Sequence, residues 1–330
     1  MEVSRLENLP PPPGIIRSIK AGFDVIASHI TAIAMPLLLN LFLWLGPRLR
    51  MEAMFKAIQS DVVSIWQASG VPAAEIQNVL TWYETTLPKI NLFWLTRTLP
   101  IGISSLLLPQ GPESTPLGAP AIWQVNVLNF PGWIFLLTLV GWVGGAIYFR
   151  SVAWVSISDK DQNIQIPSAI FQTVLISIFF AIVLIALGMP LLLILFLVSQ
   201  FSVVLANLFV LFASLASVWV IVPLFFWPHG VFLKKQNVLT SIMSSIQLAR
   251  FTLPTSSLFV LVVFLLAYGL NFLWSIPSED SWMTLFGIFG HAFVTTALLA
   301  ASFIYYRDMS AWVQAVLEKL RPSNVVNNQA

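Results

Sequence analysis

The chain has 330 residues, of which 58% are hydrophobic and 9% are charged, whereas an ordinary soluble domain carries about 25% charged residues, so the composition excludes a soluble globular protein. Sixteen basic and fourteen acidic residues give a formal net charge of +2, which excludes the basic field that a nucleic-acid partner requires. The absence of cysteine excludes a disulfide framework, a thiolate metal site, a cysteine nucleophile and palmitoylation.

Residues 1–22 are predicted to form a cytoplasmic leader and a short helix that leads into the membrane. The prolines from Pro10 to Pro13 favour an extended linker before that helix. The first charged residues are not followed by an apolar run with a small-residue cleavage site. We therefore expect no removable signal peptide.

Six membrane spans are predicted, because a helix needs about 20 apolar residues to cross roughly 30 Å of hydrocarbon. No charged residue occurs from Ser168 to Trp227, a stretch long enough for two spans, with a break expected near Gly188, Pro190 and Ser199–Gln200. The spans are placed at 23–45, 131–148, 168–188, 203–227, 255–273 and 282–305. The predicted fold class is an all-α polytopic transmembrane helical bundle, and residues 23–305 form its membrane domain.

The long insertion between the first two spans, residues 47–130, carries an amphipathic helix. Apolar residues recur there at helical spacing, and polar residues occupy the other side of the helix. We call this apolar set the stripe; its residues are Met51, Met54, Phe55, Ile58, Val62 and Ile65. Gly70 and Pro72 then end this helix and start a second amphipathic one. The two helices are expected to pair over the membrane surface, with the stripe facing the membrane or a partner.

The segment 90–108, INLFWLTRTLPIGISSLLL, is apolar enough to touch lipid but has Arg97 and Pro100 at its centre. The sequence favours an interfacial or re-entrant segment, and a further span is the alternative. The chain from Asp308 to Leu320 has apolar residues at helical spacing. The tail, 306–330, is therefore predicted to be a cytoplasmic amphipathic helix on the membrane surface.

Orientation is predicted from the basic residues that flank the spans. With both termini inside, most lysines and arginines lie on the cytoplasmic side, and the short outer connections near 188–202 and 276–281 contain none. The expected location is a bacterial inner membrane, with the insertion outside. Three similar sequences at the inner side, GIIRSIKAGF, QIPSAIFQTV and NVLTSIMSSIQLAR, are also consistent with a threefold internal repeat.

Two inner-side motifs carry a resemblance: GGAIYFRSVAWVS after the second span and WPHGVFLKKQNVLTSIMSSIQLARF before the fifth. Together with six spans, they resemble a broad class of bacterial membrane proteins. That class includes the membrane domain fused to some glycerophosphodiester phosphodiesterases. The resemblance covers residues 130 to 275 and implies a fold without an activity, and the catalytic phosphodiesterase domain has no counterpart in this chain.

The spacing of the isolated ionisable residues in the sequence predicts no active site. Asp24 and His29 lie about 140° apart around a helix, so they share no face, and Asp24 is expected to pair with Lys20 at the membrane border. A water-filled vestibule beside Asp24 is the alternative. His29 is expected to bond to a neighbouring helix and His291 to lie across the bilayer from it. His229 is placed in a solvated inner loop. No metal site or cofactor is predicted.

Enzyme signatures such as a Gly-rich phosphate loop, HExxH or GxSxG are absent, and no catalytic residue is predicted. The first hypothesis is a non-enzymatic structural or accessory protein that packs with itself or with other membrane proteins in contact with membrane lipid. The alternative is a permease for a small molecule or lipid, and an intramembrane enzyme is the third reading. The permease reading requires polar groups that converge on a pathway. The candidates are Asp24, Asn40, Gln200, Asn207 and Asn271.

Overall fold

The computed structural model describes residues 11–86, 89–157 and 164–320. Within those ranges the chain forms nine α-helices, two short strands and two 3-10 turns, which confirms the predicted all-α polytopic helical bundle. Five helices are long and apolar enough to cross a membrane, and a bent pair of helices makes a sixth candidate. The protein is therefore membrane-embedded.

The elements follow in chain order. The helices are α1 (Ile15–Ser28), α2 (Ala34–Leu45), α3 (Glu52–Ala68), α4 (Ala73–Thr86), α5 (Phe130–Ser156), α6 (Ile166–Phe201), α7 (Val203–Lys234), α8 (Val238–Trp274) and α9 (Met283–Leu320). The strands are β1 (Arg48–Arg50) and β2 (Ile122–Gln124), and the 3-10 turns cover Ile30–Ile33 and Leu92–Thr96. Helix α9 is the most buried of the candidate spans, and α6 is the least buried.

The first predicted span is not one continuous helix. The chain bends by 96° between α1 and the segment Ile30–Leu45. His29 occupies the break with φ −130° and ψ 57°, outside the helical region. Pro36 lies early in α2 and has no N–H to bond the preceding turn, which also favours a fresh helix start. The sequence missed this bend because the apolar run continues through it.

The two spans within the uncharged stretch meet at Ser202, two residues beyond the predicted break at Ser199–Gln200. Ser202 is extended, with φ −164° and ψ 128°, and its hydroxyl oxygen accepts a hydrogen bond from the Leu205 N–H. Pro190 lies inside α6 without ending it. The helix that carries the predicted span 168–188 therefore extends beyond it, because a proline in a membrane helix can be accommodated where a soluble helix would break.

The tail is not a separate surface helix within the described residues. Helix α9 continues without a break from Met283 to Leu320, and Met309 and Val313 are buried against the core. No glycine or proline occurs between Arg307 and Lys319, so nothing in that sequence ends the helix. The apolar spacing that predicted a membrane-surface helix therefore reflects contact with the rest of the bundle. Residues 321–330 lie outside the described part of the chain.

The insertion 47–130 closes on itself through strands β1 and β2, which pair in parallel with Arg48 opposite Ile122. Helices α3 and α4 pack together through Phe55 and Tyr83, whose rings stack at a centroid distance of 4.5 Å. Phe55 is buried, whereas Ile65 at the far end of the stripe is 62% exposed. The contact predicted between the two helices is therefore formed at one end of the stripe and not at the other.

Candidate functional site

The segment that was predicted to be interfacial or re-entrant forms no spanning helix. Its two ends are joined by a hydrogen bond of 2.9 Å from the Asn91 N–H to the Pro109 carbonyl, so residues 91–109 form a folded-back segment that we call the hairpin. Asn91 also accepts a hydrogen bond from the Leu49 N–H, which ties the hairpin to β1. Irregular backbone at membrane depth requires protein or a cavity around it, because lipid offers no hydrogen bonds.

Two glycines of α5 let the hairpin backbone approach the helix. A Cβ atom at Gly141 would lie 2.6 Å from the Thr96 carbonyl oxygen, and one at Gly145 would lie 2.7 Å from the Ile101 carbonyl oxygen. Both distances are too short for a real side chain. The close neighbour of Gly141 and Gly145 is therefore the hairpin backbone and not another helix.

Asn40 of α2 holds the other side of the hairpin. It is fully buried, and its amide nitrogen donates to the Pro36 carbonyl at 2.7 Å and to the Ser104 carbonyl at 3.2 Å. Its side-chain oxygen accepts a hydrogen bond of 2.8 Å from the Leu106 N–H. Asn40 therefore bonds two backbone groups of the hairpin at once and acts as a packing contact.

A second polar contact joins α8 and α9. Nδ1 of His291 lies 2.6 Å from the side-chain oxygen of Asn271, and Nε2 of the same ring is buried without a hydrogen-bond partner among the described residues. The guanidinium of Arg97 lies 4.4 Å above the ring of Trp94, within the hairpin. The contact between Arg97 and Trp94 offers cation–π stabilisation within the hairpin.

The five residues proposed from the sequence as pathway groups do not converge. Asn40 and Asn271 are engaged in the separate contacts described above. Asp24, Gln200 and Asn207 are exposed on three different helices. The predicted ion pair between Lys20 and Asp24 is not among the ion pairs of the described ranges. The structure therefore assembles no common polar path from these five groups.

The other two histidines differ from their predictions. His29 is exposed and its Nδ1 lies 3.1 Å from the Val25 carbonyl of its own helix, instead of bonding to a neighbouring one. His229 lies inside α7 and is 2% exposed, so the prediction of a solvated loop is wrong. The predicted span ended at residue 227, yet the helix accommodates Pro228 and continues to Lys234.

His229 takes part in a buried polar pair. Its Nε2 lies 2.7 Å from the Ser302 hydroxyl of α9, and its Nδ1 faces the carbonyls of Phe225 and Phe226 without meeting hydrogen-bond geometry. A similar pair joins α5 to α9, where the Tyr148 hydroxyl lies 2.9 Å from the Thr296 hydroxyl. Both pairs link spans, and no local sequence pattern indicates either of them because the partners are far apart in the chain.

The hairpin and the helices α5 to α9 together line a cavity of about 440 Å³. Its wall includes Pro100 of the hairpin, Tyr148, His229 and Ser302. No aspartate, glutamate, lysine or arginine lines it. The volume lies within the range of about 300–1,000 Å³ typical of small-molecule sites. This cavity, and not the set of polar residues chosen from the sequence, is the candidate functional site.

A buried arginine stabilises the junction between α2 and the insertion. Arg48 is fully buried; its guanidinium donates to the carbonyl of Leu43 and, at 2.8 Å, to the carbonyl of Trp44, so it satisfies the last carbonyls of α2. Burial lowers the pKa of Arg48, the nearby Arg50 lowers it further, and Glu279 raises it. The geometry assigns Arg48 a structural role as a helix C-terminal cap.

The fold and the cavity define a membrane-embedded helical bundle with an apolar chamber between its spans. No protein-family model, curated protein or solved structure matches the chain. The resemblance of residues 130 to 275 to the six-span class therefore stays a prediction.

Proposed function

We propose that this is a non-enzymatic integral membrane protein that acts as an accessory subunit, and that it associates with another membrane-embedded chain through the paired helices α6 and α7. The support comes from the second half of α6 and the first half of α7. Apolar side chains there are exposed around the helix, for example Ile185 at 64%, Leu192 at 63% and Leu205 at 53%. These halves pack against little besides each other.

The observation that carries the proposal is a pair of amides in this apolar surface. Gln200 and Asn207 are exposed near the turn between α6 and α7 and make no hydrogen bond to any described residue. Exposed leucine and isoleucine cost nothing in lipid, because lipid tails are equally apolar. Amide side chains gain more from a partner helix, since hydrogen bonds between membrane helices are worth about 1–2 kcal/mol in peptide systems.

Cysteine cross-linking in native membranes tests this association. The chain has no cysteine, so a single introduced thiol reports on one position. Leu193→Cys on α6 is 59% exposed and is matched by Leu265→Cys on α8, which is 62% exposed. We expect a reagent with one maleimide and one photoactivatable benzophenone, which needs no thiol on the partner, to trap a discrete adduct from Leu193→Cys and none from Leu265→Cys. The mass of that adduct separates a second copy of the chain from a different subunit. Equal cross-linking of the two variants contradicts the proposal.

The second candidate function is a lipid permease. Because the five polar residues do not converge, the support for a pathway for a polar small molecule is weak. The apolar cavity instead favours a lipid as the transported molecule. Movement of a fluorescent lipid between leaflets of proteoliposomes tests it. A rate equal to that of protein-free vesicles eliminates this candidate and leaves the accessory role in place.

The proposed location is a bacterial inner membrane with both termini in the cytoplasm. The support is the distribution of lysine and arginine along the chain. Lys234 lies in the last turn of α7 and Lys319 in the last turn of α9, and both ends are cytoplasmic in this orientation. In this orientation the insertion 47–130 lies outside, and the His229–Ser302 pair lies nearer the cytoplasmic side than the hairpin ends.

A further inference from the structure

The cavity opens sideways towards the bilayer. Several of its lining residues are also exposed on the outside of the bundle, among them Leu99 at 68%, Leu184 at 50% and Phe264 at 44%. These side chains belong to the hairpin, α6 and α8, so they form a mouth at the level of the spans. A molecule that enters the cavity by this route comes from the membrane and not from water.

An empty or water-filled cavity does not fit this lining. Protein interiors contain few voids larger than a water molecule. An ordered water needs about 2–4 polar partners, and apolar cavities stay dry. Most of the lining side chains here are leucine, isoleucine, valine, phenylalanine or alanine. The occupant that matches such a wall in a membrane is a hydrocarbon chain.

The polar groups at one end of the cavity favour a neutral end group on the bound hydrocarbon chain. His229 and Ser302 are hydrogen-bonded to each other, and the Ser302 hydroxyl donates a hydrogen bond to the Leu299 carbonyl. Leu224 also lines the cavity, and its carbonyl has no helical donor because Pro228 lacks an N–H. Free lone pairs on the Ser302 oxygen and the Leu224 carbonyl can accept a hydrogen bond, so they suit a hydroxyl group.

A charged end group is disfavoured at the same place. No residue with a full charge lines the cavity, and an unpaired charge in a low-dielectric site is strongly destabilised. The nearest basic residue along α7 is Lys234, about 7.5 Å further along the helix axis by helical rise. A phosphate would therefore lie outside the cavity.

We propose that the cavity binds a neutral membrane lipid, with its hydrocarbon chain between the hairpin and α8 and its hydroxyl group beside Ser302. Long-chain alcohols of the polyprenol type and diacylglycerols share this chemistry. Along α9 the lining runs from Thr295 to Ser302, about 10 Å by helical rise, which accommodates part of such a chain. Leu184 of α6 lies at the mouth of this site, but Gln200 and Asn207, which carry the proposed association, do not line it.

Photo-cross-linking of the full chain in phospholipid vesicles tests the proposal. Three diazirine probes are compared: a polyprenol, a diacylglycerol and a phosphatidylglycerol. We expect one or both neutral probes to label peptides that contain the lining segments 263–267 and 295–302, and the phosphatidylglycerol to label only the outer faces. Equal labelling of the lining by the charged probe, or no labelling of the lining by either neutral probe, overturns the proposal.

Cavity-filling variants provide the matched control. Ala267→Phe inserts a ring into the lining, whereas Ala186→Phe makes the same change at an exposed position of α6 outside it. We expect Ala267→Phe to reduce neutral-probe labelling at least about tenfold, which corresponds to ~1.4 kcal/mol, and Ala186→Phe to leave it unchanged. Leu299→Phe fills the cavity from α9 and replaces Ala267→Phe if that variant does not fold.

The hydroxyl contact is tested separately with Ser302→Ala. This change removes an acceptor and leaves the apolar walls in place, so labelling by the neutral probes should fall while labelling of the outer faces stays constant. Unchanged labelling of the lining shows that the lipid is held without a hydrogen bond to Ser302 and overturns the assignment of the lipid hydroxyl to this position. A loss of folding is recognised by size-exclusion chromatography in detergent.

Discussion

Replacement of Asn40 by leucine should release the hairpin from α2. Asn40→Leu keeps the side-chain size similar but removes the partners of the Ser104 carbonyl and the Leu106 N–H. The buried Leu106 N–H then lacks a hydrogen bond, at a cost of about 1–3 kcal/mol, and the part-buried Ser104 carbonyl loses one donor, so the hairpin contact should weaken by about 1–3 kcal/mol. Leucine is more hydrophobic than asparagine, and a simple burial argument would predict the opposite sign.

The assay uses a single thiol as reporter. Ile103→Cys places it in the hairpin at a position that is 7% exposed, in a chain that has no other cysteine. Asn40→Leu in this background should raise the rate of maleimide labelling and lower the melting temperature in detergent. Asn78→Leu, the same exchange at an exposed position of α4, is the matched control. Equal labelling and melting of the two variants would refute the reasoning that Asn40 holds the hairpin.

Three further predictions follow from the packing and the charge distribution. Gly145→Ala should destabilise the protein in detergent by about 1–3 kcal/mol through overlap with the hairpin, whereas Gly132→Ala, which meets no atom within 4 Å, should be neutral or slightly stabilising. Phe55→Glu should lower the melting temperature because it buries a charge between α3 and α4, while Lys56→Ala, which removes only an exposed ion pair, should change it little. A periplasmic reporter within residues 110–120 should be active and one at either terminus inactive; activity at a terminus would contradict the proposed orientation.

The helices were predictable because their signal is local. Long uncharged runs such as Ser168–Trp227 can satisfy their backbone in a bilayer only as helices, so sequence and structure agree on the class of fold. The boundaries were less predictable. Ser202 ends α6 through one extended residue and one capping hydroxyl, and this signal is no stronger than those of Gly188 or Pro190, which the structure keeps inside the helix.

The bend at His29 and the continuous α9 both show that hydropathy alone does not predict where a helix breaks or continues. Hydropathy runs through the bend without a change, because Ile30 to Ile33 are as apolar as a span. Hydropathy falls within α9 beyond Arg307, yet the helix continues because Met309 and Val313 find partners in the core. Whether an amphipathic segment lies on lipid or on protein depends on tertiary contacts, which periodicity alone does not contain.

The cavity could not be derived from the sequence, because the choice of candidates followed residue type. Polar residues inside apolar spans were selected as pathway groups, yet Asn40 and Asn271 use their amides to fix the hairpin and α9 in place. Polar groups in spans are expensive unless they are paired, and pairing makes them strong positional restraints. In this bundle Asn40 fixes the irregular hairpin against α2, and the hairpin lines the apolar chamber together with the helices α5 to α9. The residues that specify the candidate site are therefore of two kinds: polar residues that position its walls, and apolar residues that form them.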